Sequence, residues 1–136
     1  MRKIAVDLGD VRIGLASSDI MGIIASGSET YYRKGGEVDL DYVANFAKEQ
    51  QADTIVIGLP INMDGTEGER AQLSRDFGEA LSQKTDCKIV YVDERLTSKS
   101  AERLLISADM RREKRKNVID KVAAAIILQS YLDKIN

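Results

Sequence analysis

Apolar and polar positions change their spacing several times along the chain, and each change predicts a new element. Two short apolar runs separated by Gly9-Asp10 predict a hairpin, and a run with a threonine and two tyrosines predicts a third strand. Two later runs are continuously apolar, which is typical of strands buried on both faces of a sheet. The five predicted strands are 3–8, 12–18, 27–33, 54–59 and 88–92.

Helical spacing of apolar residues predicts the elements that connect and follow these strands. Asp39 is a candidate N-cap for the first helix, and Thr66 with Glu69 three residues later has the pattern of a capping box for the second. The predicted helices are about 39–51, 66–84, 98–108 and 117–134. The order βββαβαβαα predicts one α/β domain over residues 1–136, with a mixed five-stranded sheet whose later strands are parallel.

The residue types that are present restrict the chemistry. The chain has no histidine and one cysteine, which excludes an internal disulfide framework, a His/Cys zinc site and a Ser-His-Asp triad. A metal site would need oxygen ligands, which favour Mg²⁺ or Mn²⁺. The sequence shows neither a signal-peptide pattern nor an apolar run long enough to span a membrane, so we expect a cytoplasmic protein without a membrane partner.

A basic cluster lies at residues 111–121, although the chain as a whole has a net charge of −2. Such a patch indicates a confined contact with a polyanion. A solvated helix start is the alternative, and a charge run taken alone favours that alternative. The basic residues in this segment are Arg111, Arg112, Lys114, Arg115, Lys116 and Lys121.

Acidic residues follow two of the predicted strands, at the carboxyl edge where ligands bind in such sheets. Asp7 lies in the apolar run KIAVDLG, where a carboxylate without a partner carries a desolvation cost. The alternative is that Asp7 starts the turn before Gly9. Asp93 and Glu94 end the fifth strand, and for them the alternative is an ion pair at the strand end.

Asp120 lies on the last predicted helix, on the same stripe as Ala124 and Ile127, so its side chain should face the sheet. A charge at that position needs a partner. A basic side chain such as Lys121 or Arg95 is one possibility, and a divalent cation is the other. Clustered carboxylates favour the cation, because two divalent ions about 3.5 to 4 Å apart are common in phosphodiester cleavage.

Four ordered blocks, which cover nearly the whole chain, resemble the YqgF family. They are DLGDVRIGLASSD at 7–19, GLPINMDGTEG at 58–68, VDERLTSKSAE at 92–102 and KRKNVIDKVAAAIILQSYL at 114–132. Members of that family have an RNase H-like fold, are related to the RuvC Holliday junction resolvases and are regarded as nucleases that process the 5′ end of pre-16S rRNA. The resemblance therefore implies a nuclease of ribosome maturation, and the clustered carboxylates favour two-metal-ion hydrolysis as its mechanism.

The resemblance also implies an acidic metal site made of Asp7, Asp120 and either Glu94 or Asp93, of which we favour Glu94. One feature departs from the wider RNase H-like group. Many nucleases of that group carry an acidic residue at the end of the fourth strand, whereas here this strand ends with Gly58-Leu59-Pro60. The acidic pair after the fifth strand would then have to supply the missing carboxylate.

Candidate substrate contacts lie in the loop after the fourth strand and among the basic residues. Glycines in that loop would let backbone N–H groups approach a phosphate, and a well-capped turn is an equally good explanation. The candidate contacts are Asn62, Asp64 and Thr66 in the loop, Arg12 and Arg95 beside the acidic residues, and Lys114, Arg115 and Lys116 in the basic cluster.

Three other functions remain open from the sequence. The first is a Holliday junction resolvase-like DNase acting on branched DNA. The second is a nucleic-acid-binding or ribosome-associated module without catalysis. The third is an ATP-binding module, because DLGDVRIG also resembles the first phosphate-binding hairpin of the actin and sugar-kinase group. That group encloses its nucleotide between two such domains, and this chain has room for one.

Overall fold

The computed structural model describes residues 1–94 and 112–136, and within the second segment it describes side chains from residue 120 onward. The predicted helix at 98–108 lies outside the described residues. The described elements are β1 (Arg2–Leu8), β2 (Arg12–Ser18), β3 (Ala25–Tyr32), α1 (Gly36–Glu49), β4 (Ala52–Leu59), α2 (Glu69–Ser82), β5 (Lys88–Asp93) and α3 (Arg112–Ile135).

The five strands form one mixed sheet in the order β3-β2-β1-β4-β5. β1 pairs with β2, and β2 with β3, in antiparallel fashion, whereas β4 runs parallel to both β1 and β5. The carboxyl ends of β1, β4 and β5 therefore lie at the same edge of the sheet. The predicted α/β fold with a mixed sheet is confirmed.

Side chains alternate between two cores, one on each face of the sheet. Along β1, Ile4 and Val6 pack in the core beneath α1 and α2, while Ala5 packs in the core beneath α3. The same alternation in β4 places Ile55 and Ile57 on the first face and Val56 on the second. Asp7 continues the alternation of Ala5, so it belongs to the face that α3 covers.

Helix α3 packs closely on the sheet because small residues lie beneath it. A Cβ added at Gly14 of β2 would overlap the backbone of Asp120, and a Cβ added at Gly27 of β3 would lie 2.9 Å from the carbonyl oxygen of Lys121. Because α3 lies so close to the sheet, its residues Ile127 and Leu128 are fully buried. Each side chain of this size stabilises the fold by about 1.5–3 kcal/mol relative to an exposed position.

Three predicted helix starts were wrong. Helix α1 begins after Gly35, and the predicted cap Asp39 instead lies inside the first turn, where it accepts hydrogen bonds from the backbone N–H groups of Lys34 and Gly35. Helix α2 begins after Gly68 without a side-chain cap, so the predicted cap Thr66 lies two residues before the cap position, where its hydroxyl donates to Asp64. Helix α3 begins five residues earlier than predicted, at residue 112 rather than 117.

The burial expected for β5 was also wrong. β4 is buried as predicted from residue 54 to residue 59, whereas β5 is partly exposed along its whole length. The physical reason is its place in the sheet, since β5 pairs with β4 on one side and is an edge strand among the described elements. An apolar run such as KIVYV does not distinguish a central strand from an edge strand.

The described residues contain no helix that is long and apolar enough to cross a membrane.

Candidate active site

The carboxyl edge of the sheet brings together two of the predicted acidic residues. Asp7 lies near the end of β1, and Glu94 directly follows β5. The backbone N–H of Glu94 donates to the carbonyl oxygen of Leu59 at 3.1 Å, which ties the end of β5 to the end of β4. Because β4 lies between β1 and β5, the Glu94 side chain has to extend across β4 to reach Asp7.

Gly58 provides the space for that extension. It lies on the α3 face of β4, and a Cβ at this position would overlap Oε2 of Glu94 and lie 2.6 Å from Cδ1 of Ile127. The Glu94 carboxyl group therefore lies directly over β4, with its Oε2 buried. β4 itself ends without an acidic residue, and the carboxyl group of Glu94, which follows β5, lies over the end of β4 instead.

The carboxyl groups of Asp7 and Glu94 are hydrogen-bonded to each other, so the pair holds a shared proton. Burial, and then the nearby charge of Asp120, raise the pKa of Asp7 to about 6. Burial, and then the charge of Asp7, raise the pKa of Glu94 to about 8.

Asp120 lies beside this pair, because α3 crosses the sheet at the strand position next to Asp7. Asp7 pairs with Gly14 in the β1–β2 register, and the backbone of Asp120 lies directly over Gly14. The predicted stripe is confirmed, since Ala124 and Ile127 on the same face of the helix are fully buried. The structure thus places Asp120 near the Asp7–Glu94 pair, close enough for its charge to raise the pKa of Asp7.

The partner of Asp120 in the structure is a basic side chain. Arg12 Nε donates to Asp120 Oδ2 at 2.6 Å, and both side chains are partly buried. A basic partner was one of the two predicted possibilities, but the partner is Arg12 rather than Lys121 or Arg95. Arg12 is also a predicted phosphate contact, and in this structure its guanidinium group bonds the Asp120 carboxylate.

The donor chemistry of the three carboxyl groups suits a hard divalent cation, since all of their ligand atoms are oxygens and the closest two repel each other when ionised. Within the described part of the chain, however, no group of three acidic or thiol side chains is arranged to hold an ion. A cation shared by all three carboxyl groups would require Asp120 to turn away from Arg12 and the Asp7–Glu94 proton to leave.

The structure describes only some of the remaining predicted site residues. Asp93 is exposed at the end of β5, which distinguishes it from the inward-facing Glu94. Arg95 lies outside the described residues. Lys114, Arg115 and Lys116 lie on α3, where the backbone is described and their side chains are not.

The loop residues predicted to contact substrate bond to one another. Asp64 Oδ1 accepts hydrogen bonds from both the backbone N–H and the hydroxyl of Thr66, and Asn62 Nδ2 donates to Thr66 Oγ1 at 3.1 Å. Gly65 has a φ of 89°, and its N–H donates to the carbonyl oxygen of Asn62. A turn closed by its own hydrogen bonds accounts for all of these contacts, although none of these side chains caps α2.

Sequence reasoning missed one charged residue near the cluster. Arg70, in the first turn of α2, forms an ion pair with Asp10 of the β1–β2 turn, and its positive charge opposes the rise in the pKa of Glu94. Nothing in the local sequence marks Arg70, because it follows Glu69 on an ordinary polar helix start. Only the folded structure reveals its position, through the ion pair that joins α2 to the β1–β2 turn.

Comparison with known proteins identifies the family. A family model described as "RuvX: Holliday junction resolvase" matches residues 1–134. A protein of Halalkalibacterium halodurans named "Putative pre-16S rRNA nuclease" is 48% identical over 136 residues, covering 98% of this chain and 97% of its own length. A protein of Syntrophomonas wolfei with the same name is 48% identical over 133 residues, covering 98% of this chain and 94% of its own length.

Solved structures support the fold. RuvC of Thermus thermophilus bound to a Holliday junction superposes with a TM-score of 0.59 at 9% identity, covering 100% of this chain and 96% of that one. The fowlpox virus resolvase in complex with Holliday junction DNA gives a TM-score of 0.59 at 14% identity, covering 99% of each chain. The fold is thus the RNase H-like fold of the RuvC-like resolvases, and the chain belongs to the RuvX family, the YqgF family that its sequence blocks resemble.

Proposed function

We propose that this chain is a metal-dependent endonuclease that processes the 5′ end of pre-16S rRNA during ribosome biogenesis. The names of its relatives support the reaction and the substrate. The contact between Asp7 and Glu94 carries the proposal, because it places two carboxyl groups together at the edge of the sheet where ligands bind, with Asp120 beside them. The single sheet supports one nuclease domain over the chain.

A divalent cation, Mg²⁺ or Mn²⁺, held by Asp7, Glu94 and Asp120 would supply the positive charge that activates water and stabilises the leaving oxygen. The chain itself supplies the rest of the site. The Asp7–Glu94 pair is buried, and it would release its shared proton to solvent on binding the cation. Arg12, once separated from Asp120, can donate to a phosphate oxygen close to the bond that breaks.

The substrate would bind through its phosphate backbone. The basic residues at the start of α3 lie on the same helix as Asp120, several residues nearer its N-terminus. A polyanion bound along this part of α3 would therefore extend toward the carboxyl groups. Contacts of this kind position a nucleic acid without reading its sequence, so selection of pre-rRNA would come from the shape of the precursor or from the ribosomal particle around it.

The test is cleavage of an RNA that carries the 5′ extension of 16S rRNA, in Mg²⁺ or Mn²⁺, with and without assembled precursor particles. We expect Asp7→Asn and Glu94→Gln to lose at least about a hundredfold in rate while keeping the fold. Asp76→Asn, which changes an exposed carboxylate on α2, is the matched control and should cleave like the parent. Equal cleavage by the parent and both site variants would exclude the proposed site.

A second candidate is hydrolysis of branched DNA, which the description of the matching family model favours. A four-way DNA junction tested in the same assay separates the two substrates. Faster cleavage of the junction than of the RNA would change the proposed substrate and leave the proposed site unaltered. Binding of either substrate without cleavage in any divalent cation would instead support a non-catalytic module, and saturable binding of ATP would support the nucleotide-binding alternative.

A further inference from the structure

The turn between β1 and β2 carries two ion pairs that point to different helices. Asp10 pairs with Arg70 of α2, and Arg12, where β2 begins, pairs with Asp120 of α3. In the pair with α2 the turn provides the carboxylate, whereas in the pair with α3 the first residue of β2 provides the positive charge. The turn directly follows the strand that carries Asp7, so both pairs lie close to the proposed site.

The backbone of this turn is held independently of the two ion pairs. The N–H of Gly9 donates to the carbonyl oxygen of Arg12 at 2.9 Å, and Arg33 Nη1 donates to the carbonyl oxygen of Gly9 at 2.8 Å. The backbone N–H of Arg33 also donates to the carbonyl oxygen of Val11. The conformation of the turn therefore does not depend on the contact between Asp10 and Arg70.

The geometry of the Asp10–Arg70 pair differs from the bidentate geometry of arginine with a carboxylate. Both Nη1 and Nη2 of Arg70 donate to one oxygen, Oδ2 of Asp10, each at 3.0 Å. The two side chains are 59% and 71% exposed, so an ion pair here contributes little to folding stability. An exposed guanidinium group whose two nitrogens donate to one carboxylate oxygen can leave that oxygen and bond two oxygens of a phosphate instead.

Arg75 of α2 forms a second ion pair, with Glu67 in the loop before the helix, and its geometry is that of a structural contact. Arg75 is held by both oxygens of Glu67, with Nε at 2.6 Å and Nη2 at 2.8 Å, and its guanidinium carbon lies 5.1 Å from the centre of the Tyr91 ring. Arg75 is thus fixed by two partners on its own side of the sheet. Arg70 has one described partner, and its charge reaches the Glu94 carboxyl group.

We propose that Arg70 is a binding residue for a backbone phosphate of the nucleic-acid substrate, and that Asp10 is an internal anion which holds the guanidinium group until that phosphate replaces it. This inference rests on the proposed function, since it takes the substrate to be a nucleic acid bound beside Asp7 and Glu94. It adds an arginine from α2 to the basic residues of α3, so that the substrate backbone would be held on both sides of the carboxyl groups.

The proposal makes opposite predictions for the two members of the pair. Binding of a fluorescently labelled RNA with the 5′ extension of 16S rRNA, and of a four-way DNA junction, is measured by anisotropy in EDTA over a range of salt concentrations. Arg70→Gln should weaken RNA binding by roughly tenfold and make the slope of log K against log salt shallower by about 0.7. Asp10→Asn should tighten binding by about twofold to fivefold, because the phosphate no longer competes with the carboxylate.

The matched controls are Arg75→Gln and Glu67→Gln, which make the same charge changes in the other ion pair of α2. Each should shift binding by less than about half as much as its counterpart, because electrostatic effects of exposed charges fall with distance. Arg70→Lys keeps the charge without the fork and should retain the salt slope while losing part of the affinity. Thermal unfolding of each variant shows whether its fold is intact.

Several outcomes would overturn the proposal. Parent-like binding by Arg70→Gln would do so, as would weaker binding by both Arg70→Gln and Asp10→Asn, which indicates a structural pair. If Arg75→Gln and Glu67→Gln changed binding as much as Arg70→Gln and Asp10→Asn, the effects would come from net charge alone and the proposal would be overturned. A parent protein that binds neither nucleic acid would overturn the proposed function together with this inference, whereas cleavage of RNA by an Arg70→Gln variant with parent-like affinity would overturn the inference alone.

Discussion

Arg12 Nε lies 2.6 Å from Oδ2 of Asp120, although the two residues are 108 positions apart in the chain. The contact joins the start of β2 to α3 and places a positive charge against the Asp120 carboxylate, which faces the sheet. It gives Asp120 a partner in the absence of a cation. A cation and Arg12 then compete for the same oxygen.

This competition predicts that removing the guanidinium group strengthens metal binding. We expect Arg12→Gln to bind Mn²⁺ about threefold to tenfold more tightly than the parent, measured as loss of the free-ion signal in electron paramagnetic resonance. Arg75→Gln removes an arginine that bonds Glu67 and should bind Mn²⁺ like the parent. Unchanged or weaker Mn²⁺ binding by Arg12→Gln would show that the pair does not compete with the ion.

The raised pKa values of Asp7 and Glu94 predict an unusual dependence of stability on pH. Because burial raises both pKa values in the folded state, to about 6 and about 8, the folded protein binds these protons more tightly than the unfolded chain. Their contribution to stability is complete below the ordinary carboxyl pKa values and is lost as pH rises through about 6 and then about 8. The free energy of unfolding in EDTA should therefore fall by a few kcal/mol between about pH 5 and pH 8.

Glu94→Gln tests that dependence directly, since the amide keeps the shape and cannot ionise. The variant should be more stable than the parent at pH 8 and should lose much less stability between pH 5 and pH 8, measured by urea denaturation. Asp76→Asn, which is exposed, should follow the parent. A parent stability that rises with pH over this range would contradict the shared proton.

The close packing at Gly58 and Gly14 predicts graded damage from a single methyl group. A Cβ at Gly58 meets the Glu94 side chain and the end of Ile127, whereas a Cβ at Gly14 meets the backbone of Asp120, which cannot move alone. We expect Gly58→Ala to lower the free energy of unfolding by about 1–3 kcal/mol and Gly14→Ala to lower it by more, measured by urea denaturation.

Gly68→Ala is the control, because its Cβ would lie 3.3 Å from the Asn62 side chain and should be tolerated. Equal stability of all three variants would contradict the described packing of α3.

The basic cluster predicts salt-dependent binding that does not involve the carboxyl groups. Replacing both Arg115 and Lys116 by alanine should weaken binding of the 16S-precursor RNA and make the slope of log K against log salt shallower by about 1.4. Lys134→Ala, in the last turn of the same helix, is the control and should leave the slope unchanged. An unchanged slope for the double variant would favour a solvated helix start.

Hydrophobic spacing was sufficient to predict the strands and their order. β2 matches its predicted range of residues 12–18, and the other strands differ by a few residues at their ends. The signal is strong because buried strands are built from apolar side chains whose alternation is local in the sequence. Helix starts were less predictable, since Asp39 lies inside the first turn of α1 and Thr66 lies before the Gly68 cap of α2, although each has a local capping pattern.

The residues of the metal site stay a prediction from the sequence, whereas the structure shows which contacts their side chains make. Sequence blocks indicated Asp7, Glu94 and Asp120, and the structure shows why Glu94 rather than Asp93 faces inward, since it extends over Gly58. The partners of the charged groups could not be inferred, because Arg12 and Arg70 reach them through packing between distant elements. Long-range ion pairs leave no periodic signal in a sequence.

The central claim is that Asp7, Glu94 and Asp120 together hold a divalent cation for phosphodiester hydrolysis. The most direct measurement is anomalous diffraction from crystals of the protein soaked in Mn²⁺ near pH 8. We predict an Mn²⁺ peak bounded by carboxylate oxygens of all three residues, with the Arg12 guanidinium group turned away from Asp120. Crystals that show no Mn²⁺ peak there, with Asp120 still bonded to Arg12, would contradict the account.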